Sequence, residues 1–452
     1  MLLLTYHYPP DVAVGGLRPS RLVEQLVAAG HEVDVITASM RREAPGLRAS
    51  GSGWRVFAVR RWQTPRDWYL RMTQGRRRQS APGTRDVGPA VPVRQVQAAR
   101  GGVLGFLRRQ VLSLLWFPAE HQGFLPAVVG AACRLSKERP YDVVYSTAPP
   151  HILHVTGWIV SRALRLPWIM EYRDPWLGNK PREVITAWSA RGESWLEGKC
   201  LRRARTVVTV TETFAEKLRG RVTNPSRVVC VRNGIPKVSE VHTGANDGRF
   251  VVRHMGTVYA RRDPMPIFRA LAELRDRAHA TAERFVLEFI GLVHVFRGRS
   301  LEDMAREAGV ADLVRFLPRV GQEECARLTA EADLLLLLAQ EQPMQVPNKL
   351  YDYLAAGTPI LALADPDGET ATMLGRIGTH AVLDPGAAPS VIANAIRAAM
   401  QGNGARPAVA AQVREQLAEW SVELQFARLL ELVETAAGLR PAQPADERRR
   451  LA

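Results

Sequence analysis

The sequence predicts an α/β protein built as two doubly wound, Rossmann-like domains in tandem. Three observations carry this. Short apolar β-type runs alternate with amphipathic helical stretches along most of the chain. Those runs are nearly continuous in hydrophobicity, as parallel strands covered on both faces must be. One polar stretch, residues 237–249 with Gly244, Asn246 and Gly248, interrupts the pattern, which then restarts.

The first domain, residues 1–236, takes its strands from residues 1–5, 33–38, 143–147, 168–172, 207–211 and 228–231. The helix between the first two, 19–29, puts Leu22, Val23, Leu26 and Val27 on one face; Pro19 suits its first turn and Gly30 its exit. The second domain, 250–400, has strands at 250–255, 285–291, 314–317, 334–339, 360–364 and 381–383, and helices at 267–279, 301–308, 323–332 and 349–356. Helices within 401–440 are expected to pack back toward the first domain. The tail, 441–452, is rich in Pro, Ala and Arg, has little to bury and is expected to be flexible.

The net charge is +16 over 452 residues. Residues 41–110 hold sixteen arginines, no lysine and three acids (Glu43, Asp67, Asp86), a net +13, so the rest of the chain is nearly balanced. A global excess of this size invites a nucleic-acid function. Its confinement to one stretch, with no nucleic-acid-binding motif beside it, argues against nucleic acid as a partner. The stretch 41–130 instead reads as an insert in the first domain, first basic with Trp54, Trp62 and Trp68, then apolar over 103–129 with Arg108 and Arg109. It suits either a helical hairpin packed on the sheet or contact with an anionic membrane surface.

Cys133, Cys200, Cys230 and Cys325 match no metal-ligand spacing and are too few for a disulfide framework, which points to a reducing compartment. No run approaches about 18 apolar residues, so no membrane span is expected, and the opening Met1-Leu2-Leu3-Leu4 reads as a buried strand. The expected location is cytoplasmic, or peripheral on the inner face of the plasma membrane. Oligomeric state is open.

Ligands of doubly wound sheets bind beyond the carboxyl ends of the strands, so residues just after strands are the candidates. After the first strand, Gly15-Gly16 precedes a helix, an arrangement that seeks phosphate through free N–H groups but also makes a plain tight turn. His151 follows the next strand and could donate to a sugar hydroxyl or a developing oxyanion. Arg173, Asp174 and Trp176 end another. Asn233-Gly234 reads as architecture. In the second domain, Gly256-Thr257 with Arg262 suits a pyrophosphate. In Asn348-Lys349-Leu350-Tyr351-Asp352, Lys349 and Asp352 share a helix face, either as a ligand site or as a surface ion pair. Asp365-Pro366-Asp367 has metal-motif letters but follows a late strand, so no metal is expected.

These blocks, in this order over nearly the whole chain, resemble the retaining, nucleotide-sugar-dependent glycosyltransferases of family 4, of GT-B fold. Tyr8-Pro9-Pro10 through Gly15-Gly16-Leu17-Arg18-Pro19, Arg173-Asp174-Pro175-Trp176, Asn233-Gly234-Ile235, Arg262-Asp263-Pro264 and 348–357 carry the likeness. The resemblance implies two domains facing across a cleft and a nucleoside diphosphate sugar donor. No cofactor is implied; transfer is metal-independent, to a saccharide, lipid-linked or small-molecule hydroxyl acceptor, as in polysaccharide, cell-envelope or glycolipid biosynthesis. The implied donor-binding residues are Gly15, Gly16, Arg18, Gly256, Thr257, Arg262, Asn348, Lys349, Leu350 and Asp352. Arg262, Lys349, His151 and Asp174 are the implied catalytic set, with Arg173, Asp174 and Trp176 on the acceptor side. Where the family often has another glutamate, eight residues before Asp352, this chain has Met344. That departure bears on the usual polar contact to the donor sugar, and the alternative it leaves is a non-catalytic sugar-nucleotide-binding protein.

Overall fold

The computed structural model describes all residues except 12, 40–42, 75–102, 120, 178–184, 238–247, 259–260, 278–283, 293–294, 379, 403–404 and 440–452. The chain forms two compact units, Met1–Val231 with Phe426–Ala452, and Arg232–Gln425. Each is built on its own sheet.

The first sheet has the order β3-β4-β2-β1-β5-β6-β7-β8. Its strands are β1 (Leu2–Leu4), β2 (Val33–Ala38), β3 (Gly46–Gly51), β4 (Trp54–Val59), β5 (Val144–Ala148), β6 (Trp168–Tyr172), β7 (Thr206–Thr209) and β8 (Val228–Cys230). All pairings are parallel except that of β3 with β4. Every residue of β1, β5 and β6 is buried, the outcome expected when helices cover both faces of a parallel sheet.

The order places the stretch 41–130 differently from the expected insert. Trp54–Val59 is a core strand beside β2, and Phe124–Glu138 is a crossover helix with Phe124, Val128, Ala131, Ala132 and Leu135 buried. Arginine at Arg55 hid the strand, yet its guanidinium leans over the Phe57 ring and donates to Asp34, so a charged residue is accommodated in a sheet interior. Strand β3 closes this edge antiparallel to β4, with a bulge between Leu47 and Ala49. At the bulge Arg48 reaches the Ala38 carbonyl at 2.9 Å. The Arg76–Arg78 run of the expected insert lies outside the described residues.

The second sheet has the order β13-β10-β9-β14-β15-β16, all parallel. Its strands are β9 (Phe250–Met255), β10 (Phe285–Ile290), β13 (Val314–Leu317), β14 (Leu334–Ala339), β15 (Ile360–Ala364) and β16 (Ala381–Leu383); a small hairpin, β11 (Val295–Phe296) and β12 (Arg299–Ser300), lies outside it. Counted along this unit, the sheet order is 3-2-1-4-5-6, and the winding reverses between β9 and β14. In the first sheet it reverses between β1 and β5.

Two helices follow the second sheet. Ala405–Trp420 packs on the helices Lys349–Ala355 and Glu369–Ile377 of the second unit. Val422–Ala437 crosses into the first unit from Phe426 onward. Gly234, in the left-handed region at φ +84°, stacks on Val422 where Ile235 bridges to Ser421.

Candidate functional site

In the first unit, three loops converge at the carboxyl ends of β1, β5 and β6. Arg173, just past β6, ties them together: its side chain donates to the carbonyls of Gly15, Pro149 (2.9 Å) and Ala148 (3.4 Å), while its own N–H donates to Ala148 at 2.9 Å. Burial lowers its pKa from the ordinary arginine value, and Glu171 opposes that shift. Arg173 is thus a scaffold for the loops rather than an open acceptor contact. A Cβ on Gly15 would stand 3.1 Å from the Arg173 guanidinium, which accounts for glycine there.

The loop after β1 does not offer all the free donors its glycines suggest. Val14–Gly16 is a 3-10 turn in which Gly16 N–H donates to Ala13 and Leu17 N–H to Val14. Arg18, expected to meet a phosphate, is buried instead: it donates to Glu171 at 2.8 Å and to the Val231 carbonyl at 2.8 Å, with Phe426 stacked on it. Trp176 is 1% exposed and lies parallel to His151 at 5.8 Å, so it belongs to the core. His151 pairs with the Asp174 carbonyl at 3.0 Å. His7 and Asp11, joined at 2.5 Å, are also partly exposed at this end.

The second unit gathers its candidates at the β9–β14 reversal. Gly256 ends β9 at φ +94°, and Gly291 ends β10 at φ +140°. The two touch backbone to backbone: a Cβ on Gly291 would lie 3.0 Å from Gly256 Cα. Gly256 and Thr257 are exposed. Arg262 is buried, donating from Nη1 to the Thr257 carbonyl at 3.0 Å. Asp263 accepts from Met265 N–H and so caps the helix Met265–Arg277, which explains the Asp-Pro that follows Arg262.

Lys349 opens the helix Lys349–Ala355 and reaches back to His254 of β9, Nζ to Nε2, at 3.1 Å. It makes no carboxylate ion pair among the described residues, so the surface pair with Asp352 is not formed. Burial lowers the Lys349 pKa well below the lysine value, and Arg262 adds to the shift. Four residues on, the Tyr353 hydroxyl accepts from Met255 N–H at 2.8 Å, fixing the same helix to the end of β9. Leu350 is fully buried and serves packing, not ligand contact. Asp352 is exposed. Asn348 accepts from Asn233 at 3.3 Å. Met344 lies half-buried in the loop after β14. Asp365 accepts from Asp367 N–H in a turn before the helix Glu369–Ile377. No cluster of three metal-ligating side chains forms among the described residues.

Residues 15–234 match the family model described as a glycosyl transferase 4-like domain. Over that stretch the chain is similar to a glycosyl transferase 4-like domain. A D-inositol 3-phosphate glycosyltransferase of Salinispora arenicola is 28% identical over 192 residues, 42% of this chain and 42% of that relative. Another from Streptomyces scabiei is 25% identical over 187 residues, 38% of this chain and 42% of that one. The matched stretches thus span under half the length of these curated relatives. Among solved structures, sucrose-phosphate synthase from Thermosynechococcus elongatus superposes with a TM-score of 0.64 at 16% identity, covering 97% of this chain and 99% of that one. Anabaena HepE in complex with UDP-glucose superposes with a TM-score of 0.56 at 15% identity, covering 96% and 99%. The fold is GT-B, with two Rossmann-like domains.

His7 and Asp11 lie ahead of the matched residues 15–234 and belong to no motif noted in the sequence; their i, i+4 spacing is the available signal. In the second unit His254 likewise belongs to no motif noted in the sequence. A histidine inside the apolar run Phe250–Met255, two residues before a glycine turn, was the signal there.

Proposed function

We propose that the protein is a glycosyltransferase that moves a sugar from a nucleoside diphosphate sugar to a hydroxyl acceptor with retention of anomeric configuration, without a metal. The observation that carries this is Lys349: a half-buried lysine, its amine held against His254, with no carboxylate beside it among the described residues, next to the open Gly256-Thr257 turn and Arg262. A cation partly withdrawn from water with no counter-charge is completed by an anion. A diphosphate supplies that anion, and Lys349 with Arg262 would stabilise the charge that builds on it as the bond to the sugar breaks. Asp352, exposed on the same helix, would be the acceptor for ribose hydroxyls. Anabaena HepE, similar in fold, is bound to UDP-glucose, which supports this donor class, and the D-inositol 3-phosphate glycosyltransferases support glycosyl transfer.

The test is turnover of a panel of UDP-, GDP-, ADP- and dTDP-sugars by the full chain, with Lys349→Met and Arg262→Ala beside it. Product formation at the wild-type rate in either variant sinks the assignment. A non-catalytic sugar-nucleotide-binding protein is the second reading, favoured by Met344 at the position of the family's glutamate. It predicts nucleotide binding with no product in any acceptor screen.

The acceptor side points to a lipid surface, hence to an enzyme of cell-envelope or glycolipid synthesis working from the cytoplasmic face of the membrane. On the helix Val103–Trp116, Val103, Phe106, Leu107, Val111 and Leu114 form one apolar stripe and all are exposed, flanked by Arg108 and Arg109. No helix among the described residues is long and apolar enough to cross a membrane, so this stripe suits a helix lying in the interface. Flotation with vesicles containing anionic lipid tests it; a Phe106→Ser, Leu107→Ser, Leu114→Ser variant that still floats like the wild type counts against it.

A further inference from the structure

His254 sits fully buried at the point where the second sheet reverses its winding. Strands β9 and β14 pair at Val252–Leu334 and Arg253–Leu335. One residue further on, the side chain of His254 makes the connection, its Nδ1 lying 3.0 Å from the Leu336 carbonyl. A carbonyl oxygen only accepts, so Nδ1 carries the hydrogen. A neutral ring then has a lone pair at Nε2, and the Lys349 ammonium stands 3.1 Å from it as the donor. A doubly protonated ring would set N–H against N–H and cation against cation. Burial, with Lys349 and Arg262 close by, likewise holds the His254 pKa well below the usual imidazole value. Phe289 of β10 packs against the ring at 5.4 Å and limits its swing.

We propose that His254 is a positioning residue, fixed as the Nδ1–H tautomer, whose Nε2 holds the Lys349 ammonium beside the Gly256-Thr257 turn to receive a phosphate group of the nucleotide ligand. The assignment rests on the donor reading given above. Lysine is a point charge on a flexible stem and is poorly placed for phosphate unless something fixes it. The Tyr353 hydroxyl anchors the helix that carries Lys349, and His254 anchors the ammonium itself. Both act at the same strand ends, since Tyr353 also lies 3.5 Å from the Leu336 carbonyl. A carboxylate in the place of His254 would pair with Lys349 and compete with the ligand anion. A neutral imidazole orients the cation and leaves its charge for the phosphate.

The test is calorimetric titration of the full chain with UDP, GDP and ADP and with the matching nucleosides, for wild type, His254→Leu, His254→Gln, Lys349→Met and the His254→Leu, Lys349→Met double variant. His254→Leu is expected to weaken the diphosphate at least about tenfold and leave the nucleoside unchanged. His254→Gln, which keeps one donor and one acceptor, is expected to restore most of the loss. In the Lys349→Met background His254→Leu should add no more than about twofold, because residues acting as one unit are not additive. Diphosphate binding by His254→Leu within about twofold of wild type, or additive losses in the double variant, overturns the proposal. A wild-type chain that binds none of the nucleotides overturns the donor reading instead, and the phosphate role with it. Should His254→Leu not fold, ¹⁵N-imidazole spectra of the wild type and of Lys349→Met decide. A neutral Nδ1–H form whose Nε2 resonance moves on Lys349→Met supports the proposal, and an Nε2–H form or an unmoved resonance overturns it.

Discussion

Arg18 donates to Glu171 at 2.8 Å inside the first unit, with 7% and 1% of the two side chains exposed. The pair joins the helix Leu17–Ala28 to β6. Burial alone would raise the Glu171 carboxyl; the Arg18 charge and the Thr147 hydroxyl outweigh it and hold the group below its ordinary value. Removing either partner leaves an uncompensated buried charge, so Arg18→Met and Glu171→Gln should each cost about 3–5 kcal/mol of stability, read as a shift in the urea midpoint. Nucleotide affinity in the folded fraction should stay unchanged; a variant of normal stability with weakened nucleotide binding would return Arg18 to the donor site.

Nucleotide binding should draw in protons. The Lys349 amine holds its proton less tightly than an ordinary lysine of pKa 10.5, and a phosphate beside it favours the ammonium form. Between the lowered free-state pKa and 10.5, binding is therefore accompanied by proton uptake, and affinity falls as pH rises through that window. Titrations in buffers of differing ionisation enthalpy should give a slope for the wild type and none for Lys349→Met.

Acid should weaken the fold before its carboxylates titrate. His154 and His254 are fully buried, and burial lowers both pKa values well below 6.5. The sign follows from proton counting: below pH 6.5 the unfolded chain binds protons that the folded chain refuses, so stability is present above that pH and is lost as pH falls. Each group accounts for up to about 1.4 kcal/mol per pH unit. Urea midpoints from pH 7 down to about 5 should fall steeply, and less steeply for His154→Gln.

Gly234→Ala should destabilise the second unit. Its φ of +84° disfavours any side chain, and a Cβ would stand 2.5 Å from Val422 Cα. A left-handed alanine costs about 1–2 kcal/mol and overpacking about 1–3 more. A melting temperature equal to wild type would show that the chain around Val422 yields easily.

The fold was legible because parallel strands leave a strong mark. Leu334–Ala339 is five leucines and an alanine, all buried, and admits no other placement than a sheet interior. Strand β4 was not legible, because Trp54-Arg55-Val56-Phe57 mixes charge with aromatics, and Arg55 is explained by its contacts with Asp34 and the Phe57 ring. The site was legible by position and less so by residue. Lys349 and Arg262 do come together beside the exposed Gly256-Thr257 turn, whereas Arg18, Trp176 and Leu350 are buried inside their units. No sequence pattern separates those placements, since burial is decided by elements far apart in the chain. His254 was hidden for the opposite reason: a histidine in an apolar strand gives no sign of which carbonyl and which lysine will face its two nitrogens.

The bulged strand β3 bears on how molecules of this protein meet one another. An open parallel sheet ends in a row of unsatisfied amides that can recruit a foreign strand. Here the row at that margin belongs to Gly46–Gly51, whose register breaks at Leu47 and Ala49. Arg48 turns back at the break to hold the chain on β2. A kinked margin flanked by arginine is a poor template for strand addition. The device that completes the sheet therefore also favours colloidal stability, keeping a strongly hydrophobic set of strands from propagating into its neighbours.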